Sequence, residues 1–472
     1  MSDVRNLARS IVDQAEARPG LRVGTVDDQL LLPELVALAS GRARSLMDDG
    51  VRPGDRVALV DSSSTDYVVT WLACLLVGAP VALVNPTYPH DLLATMLEPL
   101  SPMLVLGPDE VARARTSRPG DADGLPGLDR DAFDEVSFMH TSGTTGPPKF
   151  CVQTHEYFLR LARAMSSALD LTPEDRVLAP LPLFHINPMG YGMITSLLTG
   201  ADALTVSRFS AGGFWPAVLE QDVTVLVLHA PPVEILKRAA TPQQAAGHRV
   251  RTMFYADRGF LDRFGVPAAV SGYGSTEAGG VSHLRRWVAT DDIPADASRH
   301  GGPGRGDVEW RLDDDGMIFV RERAPGALFG GYVRADGVDP ARDADGWFDT
   351  GDVGRADGDD YLVFLERGAE SIRVKGEFVP IPFVESAVSS VDGLRDLALW
   401  KRPGALVDDD VVLYVVADAV PVGRLRAAVA DLPAFMRPVV VARVESLPRD
   451  AAAGKVQRRL LDDVPVIEWV EL

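Results

Sequence analysis

An α/β fold is predicted: a large N-terminal domain of mostly parallel sheets flanked by helices, a β-rich part, and a small α+β C-terminal domain. Three observations predict it. Short apolar runs at 56–61, Val81–Val84, 103–106, 136–139 and 223–228 have the length and composition of strands buried on both faces. Segments of helical periodicity alternate with them, the pattern of crossover connections between parallel strands. From Gly301 onward Asp and Gly become dense and strands short, and after about Arg367 the mixed pattern returns. The domains are therefore set at 1–367 and 368–472.

The elements follow in order. Leu35, Leu38, Ala39, Leu46 and Met47 fit one face of a helix, and Gly50 and Pro53-Gly54 punctuate the turn into the first apolar strand. The segment 68–84 is almost wholly apolar and raises the question of a membrane span. Gly78-Ala79-Pro80 interrupts it, and Asp66 and Asn85 flank it rather than basic residues, so it reads as a buried helix followed by a buried strand. The polar, Gly/Pro/Asp-rich stretch 111–130 is expected to be a mobile surface loop. The strand at 136–139 delivers a hydroxyl-rich loop, and His155–Leu169 reads as the next helix. Asp313-Asp314-Asp315-Gly316 and Asp357-Gly358-Asp359-Asp360 are turns of the β-rich part. Strands are expected at 411–416 and 439–444.

Composition narrows the function classes. The 472 residues are 46% hydrophobic and 24% charged, ordinary for a soluble globular protein and long enough for more than one core. A net charge of −20 argues against nucleic acid or an anionic membrane surface as partner. Two cysteines, Cys74 and Cys151, make no disulfide framework, and the charged N-terminus carries no apolar signal segment, so a reducing, cytoplasmic setting is expected. Of 47 basic residues only Lys149, Lys237, Lys375, Lys401 and Lys455 are lysines. Chemistry that needs a compact, flexible ammonium has no use for a planar guanidinium, so surviving lysines are candidates for function. Lys237 and Lys401 read as residues of a solvated face.

The sharpest motif is Thr141-Ser142-Gly143-Thr144-Thr145-Gly146-Pro147-Pro148-Lys149. Glycines admit backbone amides to an oxyanion, hydroxyls donate to phosphate oxygens, and the lysine adds a mobile point charge. It reads as a phosphate-gripping loop, though its spacing is not that of the P-loop; the competing reading is an ordinary turn between a strand and a helix. Four further segments follow: Gly272-Tyr273-Gly274-Ser275-Thr276-Glu277, Gly346-Trp347-Phe348-Asp349-Thr350-Gly351-Asp352, Leu365-Glu366-Arg367 and Gly454-Lys455-Val456-Gln457-Arg458.

Together, in this order, these segments resemble the adenylate-forming superfamily of acyl- and aryl-CoA synthetases, luciferases and peptide-synthetase adenylation domains. Pro182-Leu183-Phe184-His185 resembles its acyl-CoA synthetase branch. The resemblance implies ATP, Mg²⁺ and a small acid as reactants. It implies that Thr141, Ser142, Gly143, Thr144, Thr145, Gly146 and Lys149 hold the β- and γ-phosphates, that Glu277 ligates Mg²⁺, and that Thr276 donates to the α-phosphate. Tyr273 would cover the adenine, Asp352 and Arg367 would take the ribose, and Lys455 would bridge the acyl oxygen and the α-phosphate. By the same resemblance His185 lies beside the acyl pocket, with Ile186, Asn187, Pro188, Met189 and Tyr191 lining it; a satisfied structural histidine is the other reading. Gly272 and Gly274 would admit the acid to the strand edge, Lys375-Gly376 would face the thiol acceptor, and the C-terminal domain would rotate as a mobile lid.

Departures from the family pattern are local. Ala369 and Glu370 stand where a hinge Asp or Lys is common, and Phe150-Cys151 replaces the glycine after the loop lysine. One residue is added before Gly454-Lys455, and the shortened segment 251–270 carries Tyr255-Ala256-Asp257-Arg258 in place of a Gly-Gly-Ala-like adenine contact. The expected activity is ATP-dependent ligation of a small carboxylic acid to coenzyme A. A carrier-protein thiol or an amine as acceptor, an unusual acid such as nitrite, and a regulatory nucleotide binder without turnover are the alternatives. Neither nucleic acid nor stable membrane association is expected, and a homodimer is possible.

Overall fold

The computed structural model describes residues 6–141, 148–288, 290–358, 360–367, 372–374, 377–404, 409–449 and 456–472, with backbone alone at 366, 367 and 378. The chain forms two compact units. One comprises Met1–Pro86, Leu97–His140 and Phe150–Glu366; the other comprises Thr87–Met96, Thr141–Lys149 and Arg367–Leu472.

Three sheets build the first unit. The largest runs, in spatial order, His283–Val288, Ala268–Tyr273, Thr252–Phe254, Val225–Val227, Arg176–Leu178, Asp202–Thr205, Arg22–Thr25 and Asp28–Leu31. Its centre is parallel: Val225 pairs with Thr252 and Val177, and Met253 with Ala269, while the edge strand His283–Val288 returns antiparallel. A seven-stranded sheet places Val81–Val84 and Val57–Val60, both buried throughout, beside Glu135–Thr141 and Leu104–Leu106 in parallel register. Strands covered on both faces need near-continuous apolar side chains, which is how these read. The third sheet is antiparallel, with Val308–Leu312, Met317–Glu322, Phe348–Asp357, Tyr361–Arg367 and His300–Pro303. It is the β-rich part expected after Gly301.

The apolar segment 68–84 forms the helix Thr65–Val77 and the strand Val81–Val84. Ser64 caps the helix by accepting from Tyr67 N at 3.0 Å, Gly78 ends it at φ +77°, and every helical residue except Asp66 is buried. A helix apolar all round belongs inside a large core. Among the described residues no helix is long and apolar enough to cross a membrane. Cys74 and Cys151 are both free thiols in the interior, and burial raises the Cys74 thiol to about 12.

Two stretches depart from the expectation. The supposed mobile loop 111–130 starts inside the helix Pro108–Thr116, whose proline sits in the first turn while Glu110 accepts from Gly107 N at 3.2 Å. Further on, Leu125 and Leu128 enter the core, and Asn6 Nδ2 donates to the carbonyls of Gly127, Leu128 and Arg130 at 3.1, 3.0 and 2.9 Å. Polar composition concealed a tie to the N-terminal helix Leu7–Ala17 that lies far away in sequence. The second departure is a strand, Lys149–Thr154, between the hydroxyl-rich loop and the helix His155–Leu169. Lys149 therefore opens a strand, and the loop joins two neighbouring strands of the seven-stranded sheet.

His155 shows how the N-terminal helix is anchored. Its Nδ1 accepts from Leu7 N at 3.2 Å, satisfying an amide that has no partner within the helix. Burial, with Arg130 nearby, lowers the His155 pKa to about 4. The unfolded chain protonates near 6.5, so between pH 6.5 and 4 it binds more protons than the folded chain, and stability falls as pH falls through that window. His155→Asn keeps an acceptor without titrating. In denaturant titrations, wild type is expected to lose about 2 kcal/mol more than this variant between pH 7 and pH 4.5. Parallel losses in the two proteins would remove the assignment.

In the second unit, Asp396–Pro403, Asp409–Val416, Val440–Val444 and Val466–Glu471 form a four-stranded sheet, and Arg373–Val374 pairs with Glu377–Phe378. Lys401, read as a solvated-face residue, pairs with Asp409 at 3.3 Å and is one-third exposed.

Candidate active site

The parallel strands Val225–Val227, Thr252–Phe254 and Ala268–Tyr273 end on one side of the large sheet. In open α/β sheets this is the side that carries ligands. The chain leaving the first strand carries His229, and the chain leaving the second begins with Tyr255. The third strand ends on Tyr273 and runs on into Gly274-Ser275-Thr276-Glu277.

Two tyrosine–carboxylate pairs organise this region. Tyr273 Oη donates to Asp352 Oδ2 at 2.9 Å, and both residues are buried. Asp352 follows Gly351, whose φ of +69° turns the chain inside the strand Phe348–Asp357. Asp349 Oδ1 accepts from Gly351 N at 2.8 Å, and Thr350 Oγ1 donates to Ile318 O at 2.7 Å while accepting from Asp352 N at 3.2 Å. The turn that carries Asp352 is thus fixed by its own hydrogen bonds. The Tyr273 ring lies 5.9 Å from that of Phe364 with planes 21° apart.

In the second pair Tyr332 Oη donates to Glu277 Oε1 at 3.0 Å. Burial pushes the Tyr332 phenol far up, and the negative Glu277 adds to this, so the phenol stays a proton donor at physiological pH. Thr276 is buried, and its carbonyl accepts from Tyr157 Oη at 2.9 Å. The loop then reverses through Gly279 and Gly280, each at φ +75°. Buried Arg305 spans the reversal, donating to Gly279 O at 2.9 Å and Val281 O at 2.8 Å, and it pairs with Asp307 at 2.7 Å.

His185 stands half-buried in an aromatic group, its ring 4.7 Å from Phe184 and 6.1 Å from His140. Beyond it, Asn187–Ile194 forms a π-helical segment whose Asn187 Nδ2 donates to Leu228 O at 3.1 Å. The predicted residues Tyr273, Thr276, Glu277, Asp352 and His185 therefore all belong to the first unit. Thr141 and Lys149, the two ends of the hydroxyl-rich loop, belong to the second. Ser142, Gly143, Thr144, Thr145, Gly146, Lys375, Gly376, Ala369, Glu370 and Lys455 lie outside the described residues, as does the Arg367 side chain.

The profile of the "AMP-binding enzyme" family matches residues 13–334, more than half of the chain. The chain is an AMP-binding enzyme. As such it is an adenylate-forming ligase. Among curated proteins this AMP-binding enzyme is 26% identical to the long-chain-fatty-acid–CoA ligase FadD13 of Mycobacterium tuberculosis, over 97% of this chain and 98% of that protein. It is 28% identical to a 3-[(3aS,4S,7aS)-7a-methyl-1,5-dioxo-octahydro-1H-inden-4-yl]propanoyl:CoA ligase of Rhodococcus jostii, over 89% and 90% of the two chains. Its fold is similar to that of the o-succinylbenzoate CoA synthetase of Bacillus subtilis in complex with a product analogue, with a TM-score of 0.83 at 22% identity over 98% and 99% of the two chains.

Local packing qualifies some expectations for the AMP-binding enzyme, and one needs correction. At Gly274 a Cβ would come within 2.5 Å of Val281 Cα, so the chain's own reversal already requires this glycine. At Gly272 a Cβ would come within 2.9 Å of Val281 Cγ2. Pro188 and Met189, expected beside the acid, are buried. Lys237 is not on a solvated face; its ammonium lies 2.5 Å from Glu234 and 3.1 Å from Asp257, and it is three-quarters buried. Tyr332 and Arg305 escaped the sequence reading, since each meets the motifs only through packing, whereas His140 stands directly before Thr141 and went unnoticed.

Proposed function

We propose that this enzyme activates a small carboxylic acid as an acyl or aryl adenylate and transfers the acyl group to the thiol of coenzyme A. The observation that carries it is the paired arrangement of Tyr273 with Asp352 and Tyr332 with Glu277 at the ends of parallel strands. A buried carboxylate beside an aromatic ring suits a nucleoside, with Asp352 accepting from ribose hydroxyls. A second carboxylate one short loop away suits the metal of a nucleoside triphosphate. The two curated relatives described above, both CoA ligases by name, support the acceptor.

In the first step a carboxylate oxygen attacks the α-phosphorus, the bond to the β-phosphate oxygen breaks, and pyrophosphate leaves. In the second the thiol sulfur attacks the acyl carbon, its proton is lost, and AMP leaves with the electron pair of the broken C–O bond. Negative charge builds on the phosphoryl oxygens, so fixed donors and cations lower the barrier. Thr276 supplies a hydroxyl, and Lys149 and Lys455 supply ammonium groups in this reading.

The donor set fits magnesium. Among the described residues no group of three or more His, Cys, Asp or Glu side chains could form an all-protein cage. Mg²⁺ takes one or two carboxylates and completes its shell with phosphate oxygens and water, which a single Glu277 can serve. When bound, the ion neutralises phosphate charge.

The reading is tested by measuring ATP- and Mg²⁺-dependent pyrophosphate release over a panel of carboxylic acids and nitrite, then adding coenzyme A and searching for a thioester by mass. Acid-dependent release followed by a CoA thioester is the expected result. Release without a thioester moves the acceptor to a carrier-protein thiol or an amine. Tight ATP binding with no release from any acid points to a regulatory nucleotide binder.

A further inference from the structure

The strongest unexplained feature is Tyr255. It stands at φ +83°, a left-handed backbone that a bulky residue seldom adopts. Such strain persists only where the surroundings over-determine it, and it gathers at functional sites. Its amide donates to Val270 O at 2.8 Å, extending the pairing of Thr252–Phe254 with the strand Ala268–Tyr273 by one residue. Its hydroxyl is bonded to Ser298, so the side chain is held at both ends. The ring meets that of His229 edge-on at 5.8 Å, with planes 73° apart. His229 follows the end of the neighbouring parallel strand, and the chain beyond Tyr273 follows the other neighbour. Tyr255 thus occupies the middle of three adjacent strand ends on the ligand side of the sheet. Glu234, Lys237 and Asp257, joined to one another by ion pairs, lie near enough for their charges to act on its phenol, a polar setting for the end of an apolar chain.

We propose that Tyr255 is a specificity-determining residue: its clamped ring closes the inner end of the acid pocket and restricts the substrate to short, compact carboxylic acids. This rests on the acid-ligase reading above. The left-handed backbone would suit glycine, which would leave the space of the phenol ring open; tyrosine fills it at the cost of strain. A preformed apolar wall discriminates between chain lengths by roughly one to two orders of magnitude per misfit, because methylene groups that do not fit must be accommodated by distortion.

The test compares kcat/KM for pyrophosphate release across straight-chain acids from acetate to dodecanoate in wild type, Tyr255→Gly, Tyr255→Asn and Tyr255→Phe. Glycine and asparagine both accept the left-handed backbone, and each removes the ring. Wild type and Tyr255→Phe are expected to prefer the short acids. In Tyr255→Gly and Tyr255→Asn the ratio of octanoate to the best short acid should rise about 10-fold or more, with ATP affinity unchanged. The same acid ranking in all four proteins would overturn the proposal. So would loss of ATP binding in both ring-deleted variants, which would make Tyr255 a nucleotide-contacting or structural residue instead of a wall for the acid. Silence of wild type toward every acid overturns the ligase reading instead, and it is seen before any variant is compared.

Discussion

Glu277→Gln should lower the rate of pyrophosphate release by ~10² to 10³, because in the proposed reading it removes the fixed negative charge that would hold the metal of the triphosphate. The substitution is nearly isosteric. The amide oxygen can still accept the bond that Tyr332 Oη donates at 3.0 Å, so the loop retains its conformation. Phe329 N also donates to the backbone carbonyl of residue 277, at 3.2 Å, and that bond does not depend on the side chain. The loss should therefore appear in the chemical step and in the magnesium requirement, with the melting temperature unchanged. Tyr332→Phe separates charge from orientation: it keeps the carboxylate and removes the donor that aims it. Groups that orient a metal ligand typically contribute 10- to 100-fold, so Tyr332→Phe should fall between wild type and Glu277→Gln. Initial rates measured over a magnesium titration check both. A Glu277→Gln enzyme that runs at the wild-type rate at every magnesium concentration removes Glu277 from the metal's coordination.

Local pattern explains how much of this was legible in advance. The helix Thr65–Val77 with the strand Val81–Val84, and the helix His155–Leu169, were readable because apolar run length, a capping Ser or Thr and a stop at Gly78 are signals within a few residues. The helix Pro108–Thr116 was hidden by the same rules: its arginines and acids mask two buried positions, Val111 and Ala114, whose burial depends on neighbouring helices. The strand Lys149–Thr154 is six residues long, and its Gln153 faces the interior, where its side-chain oxygen accepts from Met139 N at 3.0 Å. No alternation betrays such a strand.

The site divides the same way. Thr276 and Glu277 share one motif, and Asp352 lies in another, so each could be proposed from a short segment. What holds them could not. Tyr332 is 55 residues from Glu277 and sits on the seven-stranded sheet, whereas Glu277 follows a strand of the large one, and Arg305 reaches the loop from 26 residues away. Their roles follow from how sheets pack, which no spacing rule encodes. Lys237 illustrates the reverse error: its scarcity drew notice, yet only the fold brings Asp257 to it across 20 residues.

Lys455→Ala should reduce acid-dependent pyrophosphate release by ~10² or more while leaving ATP affinity within a few-fold, since a cation that acts on charge developing in the transition state adds little to ground-state binding. The motif Gly454-Lys455-Val456-Gln457-Arg458 and the rarity of lysine in this chain carry the expectation. Arginine should not rescue it, because the role asks for a compact ammonium on a flexible stem rather than a planar fork. The two half-reactions make the test specific. In the second half-reaction the α-phosphate is already joined to the acyl group, and no pyrophosphate bond remains to break. Given a preformed acyl adenylate and coenzyme A, Lys455→Ala should still make thioester at a rate within a few-fold of wild type. Stopped assays of each half-reaction, on the full chain, separate these outcomes. Equal losses in both would turn Lys455 into a general structural residue, and an intact first half-reaction would take it out of adenylation altogether.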